Sequence, residues 1–283
     1  MDAALYRQPR GPKLRAGLLG AALHPPSDFS KVTGVPLFDE TPVRGILLDI
    51  EGTTTPVYFV TKTLFPYASR KLETFLRENS ANPEIRALRE DLRAQHQVDE
   101  RNKLSPPSWH DGSQEEQLRS TAAYGQWLIA RDSKCAPLKA LQGRIWQQGY
   151  ARGELRGEVY PDVPVAFERW KRKGKKICIY SSGSVLAQQL LFASVATGDL
   201  TAYIASFADT RLGAKTEAES YGRIAAAAGY QPTQFLFLSD AGKEITAARS
   251  AGMQALLCQR EEASQDAAGA EFAIRDFNAI FPD

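Results

Sequence analysis

Reactive side chains gather at the ends of apolar runs in this chain. Asp49 and Glu51 follow the run 43–48, Ser181 and Ser182 follow the run 176–180, and Asp240 closes the run 234–238. Lys215 stands just before a helical stretch. An open α/β sheet binds its ligands at the carboxyl ends of its strands, so these residues would face one crevice. Two carboxylates from separate strands suit a Mg²⁺ ion whose remaining oxygens come from a phosphate. A serine pair at a helix N-terminus suits the phosphate itself, through free amides and the helix dipole. A lysine adds a compact positive charge for the same anion. Each residue alone also has a plain reading: an aspartate after a strand caps a turn, Ser-Ser-Gly-Ser makes a loop, and a lysine before a helix faces water. Three strand ends carrying the set together favour chemistry.

The elements needed to position them can be read from periodicity. The runs at 43–48, 176–180, 202–207, 234–238 and 255–258 read as buried strands. Helical patterns separate the later ones: 185–194, a helix opened by a Thr216-x-x-Glu219 capping box and closed at Gly229, and 244–250 up to Gly252. Strands alternating with helices of this length make a parallel sheet. From about 63 to 153 the pattern is helical throughout. Asn82 is an N-cap with Pro83 at the first helical position, and Ser113-x-x-Glu116 is a capping box. The expected fold is therefore α/β, a Rossmann-like parallel-sheet core with an all-helical domain inserted after its first strand. The expected division is an N-terminal extension over 1–42, a core over 43–61 and 158–283, and a helical cap over 62–157.

Composition narrows the function. The 283 residues are 43% hydrophobic and 24% charged, as in ordinary globular proteins. Thirty-five basic against 33 acidic residues leave a net charge of +2, too small for a nucleic-acid-binding field. A mean hydropathy of −0.34 and the lack of a long uncharged apolar run argue against a membrane span. Cys135, Cys178 and Cys258 form no CxxC pair and cannot build a disulfide framework, and His24, His96 and His110 give no zinc signature. The expected setting is the reducing cytoplasm, with neither nucleic acid nor membrane as partner and a monomer as the working form. Residues 1–40 hold scattered Gly, Pro and basic residues and are expected to be poorly ordered and dispensable.

The order Asp49-x-Glu51-Gly52-Thr53-Thr54, Ser181-Ser182-Gly183-Ser184, Lys215, Leu238-Ser239-Asp240 resembles that of the haloacid dehalogenase superfamily. More narrowly, DIEGTTTP, LFPY, IYSSGS, LFLSD and the stretch 207–221 resemble the acireductone synthases, the enolase-phosphatases of methionine salvage. Glu51 departs from the aspartate usual in the wider superfamily and agrees with the narrower family. The resemblance implies Asp49 as nucleophile and Mg²⁺ ligand, Asp240 as second metal carboxylate, and Glu51 as metal ligand or acid/base for the leaving oxygen. It implies Ser181, Ser182 and Lys215 as phosphate contacts. The implied reaction enolises and then dephosphorylates 2,3-diketo-5-methylthiopentyl-1-phosphate. The base for enolisation stays open between Glu51, Lys215 and a cap residue. A generic capped phosphatase of another small phosphate ester is the near alternative. A non-catalytic phosphate-binding protein is the distant one, and would be expected to lack Asp49, Lys215 or Asp240.

Overall fold

The computed structural model describes residues 38–260 and 273–283. Six strands form one parallel sheet: β1 (Gly45–Leu48), β2 (Lys176–Ser181), β3 (Ile204–Asp209), β4 (Phe235–Ser239), β5 (Gln254–Cys258) and β6 (Ala273–Ile274). Their order across the sheet is β3-β2-β1-β4-β5-β6, which puts β1 between β2 and β4. Ile46 pairs with Ile177 on one side and Leu236 on the other.

Strand alternation sends the apolar side chains to two separate cores. Ile46, Leu48, Ile177, Ile179, Leu236 and Leu238 face one; Leu47, Cys178, Tyr180, Phe235 and Phe237 face the other. Both faces are covered, which is why the central strands are continuous apolar runs instead of alternating ones. Cys178 and Cys258 are buried in these layers as small apolar side chains.

Five helices lie between β1 and β2: α1 (Phe65–Glu78), α2 (Pro83–Arg101), α3 (Gln114–Ala130), α4 (Ala136–Ala151) and α5 (Asp162–Arg172). The N-terminal signals act as expected. Asn82 Oδ1 accepts from Glu84 N at 2.9 Å, and Glu116 Oε2 accepts from Ser113 N at 2.7 Å. A single π-helical turn, Phe59–Leu64, leads into α1 and buries Val60 and Leu64. Three further helices follow β2, β3 and β4 respectively: α6 (Val185–Ala193), α7 (Ala218–Ala227) and α8 (Gly242–Ser250). The inserted helical segment meets the sheet domain where α4 packs against α6.

Two sequence expectations need correction. The strand expected at 202–207 runs two residues later, because Asp199 Oδ1 accepts from Thr201 N at 2.8 Å and turns Thr201–Tyr203 into a 3₁₀ helix. The Thr216 capping box does not form; α7 begins at Ala218 without a side-chain cap. Tertiary bonds hold that turn instead, with Ser220 Oγ donating to Ala214 O at 2.8 Å and Tyr221 Oη to Lys215 O at 2.7 Å. Helix α5 and strand β6 were not foreseen.

Most of the expected extension, residues 1–37, lies outside the described residues. The piece just before β1 is docked. Phe38 is buried edge-on against Phe281 with ring centroids 5.1 Å apart, and Asp39 exchanges two hydrogen bonds with the Gln254 side chain. Among the described residues, no helix is long and apolar enough to cross a membrane.

Candidate active site

The loop after β1 is a compact knot. Asp49 N donates to Leu238 O at 3.0 Å, extending the β1–β4 ladder by one residue. The amides of Thr53, Thr54 and Thr55 then all converge on Ile50 O, at 3.2, 2.9 and 2.8 Å. The three threonines are fully buried. Thr53 ties the loop to the next strand end, its Oγ1 accepting from Asp240 N at 3.0 Å and its carbonyl from Arg260 Nε at 2.8 Å. Gly52 adopts φ +71°, and a Cβ there would run into Asp240 Oδ2. Only glycine meets both demands without strain.

Lys215 reaches across from the turn before α7. Its Nζ donates to Asp49 Oδ1 and lies 2.7 Å from Glu244 Oε2. All three side chains are buried, at 10%, 8% and 15% exposure for Lys215, Asp49 and Glu244. Ser239 Oγ donates to Glu244 Oε2 at 2.8 Å, which fixes that carboxylate from behind. Burial opposes the Lys215 charge, but Asp49 and Glu244 outweigh it and hold the ammonium above the ordinary lysine range.

The carboxylates themselves are poorly compensated. Asp240 is open to solvent on one side, yet partial burial with Asp49 and Glu244 alongside pushes it up to about 7. Glu51 is raised by burial and by Asp49, and Glu244 by burial and by Asp49. Lys215 thus serves Asp49, Asp240 and Glu244, and Glu51 feels the charge of Lys134 more than that of Lys215. A divalent cation would relieve this excess, and the glycine at 52 leaves Asp240 Oδ2 the room to meet one. Among the described residues no three His, Cys, Asp or Glu side chains form a metal cage by themselves.

The serine loop sits at the end of β2. Ser181 is buried and its Oγ accepts from Gly183 N at 3.1 Å, while Ser184 caps α6 through Ala187 N. Next to it a cleft, partly open to solvent, is lined by Glu51, Ser181 and Ser182 from the sheet domain. The helical segment supplies its far wall, including Leu64, Phe65, Ile129, Leu138 and Trp146. That lining combines an apolar wall with a few polar groups, as small-molecule sites do. The structure therefore brings Asp49, Lys215 and Asp240 into one charged cluster, and puts Glu51, Ser181 and Ser182 on the adjoining cleft.

Sequence reasoning missed Glu244 in this cluster. Its signal was the spacing Ser239-Asp240-x-x-x-Glu244, which carries a carboxylate from the strand end onto the first turn of α8.

Residues 43–252 match the family model of haloacid dehalogenase-like hydrolases. An Enolase-phosphatase E1 from Synechococcus elongatus is 47% identical over 218 residues, covering 77% of this chain and 89% of the relative. The chain belongs to the enolase-phosphatases of that hydrolase family. An Enolase-phosphatase E1 from Drosophila melanogaster is 43% identical over 78% of the chain and 85% of the relative. The crystal structure of UTR4 protein from Saccharomyces cerevisiae superposes with a TM-score of 0.64 at 34% identity, covering 82% of this chain and 96% of that one. The CbbY structure from Rhodobacter sphaeroides, at 17% identity and a TM-score of 0.50, shares the fold. For an enolase-phosphatase of this family a metal cofactor is implied.

Proposed function

We propose that the chain is a Mg²⁺-dependent enolase-phosphatase that converts 2,3-diketo-5-methylthiopentyl-1-phosphate to the acireductone 1,2-dihydroxy-3-keto-5-methylthiopentene and phosphate. The observation that carries this is the Lys215 ammonium held between Asp49 and Glu244, beside Asp240 and next to the serine loop. The working form is a cytoplasmic monomer. Residues 62–157 serve as a cap over a core of 43–61 and 158–283, with 1–42 as an extension.

Asp49, Asp240 and the backbone carbonyl of Glu51 would hold the metal, which leaves the Glu51 side chain free. The metal charge would offset repulsion between the anionic phosphate and the nucleophile and stabilise an enolate. Ser181, Ser182 and the amides around them grip the phosphate, and Lys215 orients Asp49 while adding its positive charge. Asp49 then attacks phosphorus. The ester P–O bond breaks, and the leaving oxygen takes a proton from the Glu51 carboxyl, two residues from Asp49. Water gives a proton back to Glu51 and attacks the aspartyl-phosphate; the P–O bond to Asp49 breaks, returning Asp49 and releasing phosphate. Before dephosphorylation, the substrate must lose a proton from the carbon bearing the phosphate, next to its ketone. The apolar far wall of the cleft receives the methylthio tail and excludes water during both steps.

The test is product analysis with the diketo phosphate, with and without Mg²⁺, following enol absorbance and phosphate together. The expected result is enol formation followed by stoichiometric phosphate, both lost with chelator. Release of phosphate from simple esters without any enol from the diketo phosphate would leave a generic phosphatase.

A further inference from the structure

Lys139 on α4 is a cation the phosphatase steps do not use. Its Nζ donates to Ser182 O at 2.9 Å, reaching from the helical segment to the serine loop. It lines the same cleft as Glu51, Ser181 and Trp146. The neighbouring cations are all spent on carboxylates: Lys134 on Asp132 at 2.6 Å, Arg144 on Glu84 at 2.7 Å and Arg211 on Asp209 at 3.0 Å. Lys139 has no carboxylate within ion-pair distance among the described residues. An ammonium has three N–H donors. The bond to Ser182 uses one, which leaves two for a ligand in the cleft. Burial and the nearby Lys134 charge lower its pKa, so it gives up a proton more readily than an ordinary lysine.

Lys215 cannot fill the same role, since Asp49 and Glu244 already occupy it. The enol oxygen also needs a proton, which the charge of a metal does not supply. When the proton leaves the phosphate-bearing carbon, negative charge moves to the ketone oxygen one bond away. A phosphate held by the serine loop places that oxygen near the loop, where Lys139 Nζ is already anchored.

We propose that Lys139 is a catalytic residue of the enolisation step, donating hydrogen bonds to the developing enolate oxygen and then a proton to it. This rests on the enolase-phosphatase reading above. In the step, the C–H bond next to the ketone breaks and its electron pair forms the C=C bond. The C=O π pair becomes the oxyanion, which takes a proton from the Lys139 ammonium. The proton from carbon goes to the Asp132 carboxylate of the same cleft and returns to the Lys139 amine. No net proton is lost, and the ketone has become an enol. The helical segment thus contributes chemistry as well as shelter.

The experiment compares full-length wild type, Lys139→Met and Lys139→Arg with Mg²⁺ on two probes, the diketo phosphate and 4-nitrophenyl phosphate, which has no enolisable ketone. Stopped-flow absorbance gives the enol rate and phosphate release gives the second step. Lys139→Met should slow enol formation by about 10²–10³-fold, the usual worth of one preorganised oxyanion donor. That loss should exceed its loss on 4-nitrophenyl phosphate at least tenfold and appear in kcat. Added methylammonium should restore part of the enol rate. Lys139→Arg keeps the charge and the Ser182 contact but holds its proton, so it should bind substrate normally and still enolise slowly. Equal losses on both probes, or an enol rate within threefold of wild type in either variant, overturn the proposal. Wild-type enzyme that forms no enol overturns the functional reading itself, and that result is read before any variant is made.

Discussion

Lys215→Met tests the charged cluster most directly. The methionine keeps the stem volume and removes the charge that Asp49 and Glu244 share. Taking one partner from a buried ion pair costs about 3–5 kcal/mol, because a charge is left buried and unpaired. Here two carboxylates are left, at 8% and 15% exposure, so the upper end of that range applies at pH 8. Lys215 has a raised pKa, so its own contribution is fully present below the unfolded lysine value and constant between pH 5.5 and 8. Any pH dependence of the penalty in that window comes from the carboxylates. Glu244 is already raised by burial and Asp49, and without the lysine it rises further. The folded variant therefore takes up protons as pH falls, and recovers about 1.4 kcal/mol for each unit by which a carboxyl pKa exceeds its unfolded value. In chelator, urea unfolding should show a penalty of about 4–5 kcal/mol at pH 8, shrinking to about half at pH 5.5. The melting temperature should fall by roughly 8–20 °C at the higher pH. Adding Glu244→Gln to the variant should return part of the loss. A penalty under about 1 kcal/mol, or the same penalty at both pH values, would refute the shared-lysine reasoning.

Asp49→Asn should cut phosphate release by about 10⁴-fold or more, on the scale of losing a covalent nucleophile, while circular dichroism stays unchanged; release within tenfold of wild type removes Asp49 from the mechanism. Gly52→Ala forces an L residue into φ +71° and a methyl against Asp240, so it should cost about 1–2 kcal/mol and raise the Mg²⁺ half-saturation of activity. Unchanged half-saturation would show that the Asp240 position does not matter to the metal. With Asp240 pushed up to about 7 in the metal-free protein, Mg²⁺ must displace a proton below that pH. Calorimetry should find affinity rising as pH goes from 6 to 7 and levelling above, with protons released on binding at pH 6; a flat profile speaks against Asp240 as ligand.

The strand-end residues were legible because parallel strands covered on both faces leave unmistakable apolar runs, and each run stops at the residue that leaves the sheet. Asp49, Ser181 and Asp240 are found that way. Glu244 was not, because an acid in the first turn of a helix already has a sufficient explanation in the helix dipole. Only its contact with Lys215 separates it from Glu219 or Glu84 at similar positions. Lys139 was invisible for a different reason: α4 meets the serine loop 43 residues later, and no local pattern encodes which face of a helix will lie against a distant loop. The Thr216 capping box is absent, and that turn is fixed instead through its carbonyls, which accept from Ser220 and Tyr221 within α7. The docking of Phe38 depends on Phe281 at the opposite end of the chain.

The place of β1 in the sheet also sets a timetable for synthesis. As the first strand made, it has no neighbour until Lys176 and the residues after it emerge, and its other flank waits for Phe235. Helices α1–α4 pack largely on one another, so the partners they need all precede Lys176 in the chain. The helical segment can therefore be complete on the ribosome while Gly45–Leu48, all buried in the finished protein, is still an unpaired apolar edge. Until α8 is out, Lys215 has only half of its charge partners, and the threonine knot lacks the Asp240 amide that anchors it. A nascent chain stalled before that point carries a folded helical segment beside a sheet that does not yet exist, and this is the stage at which chaperone capture or aggregation would act.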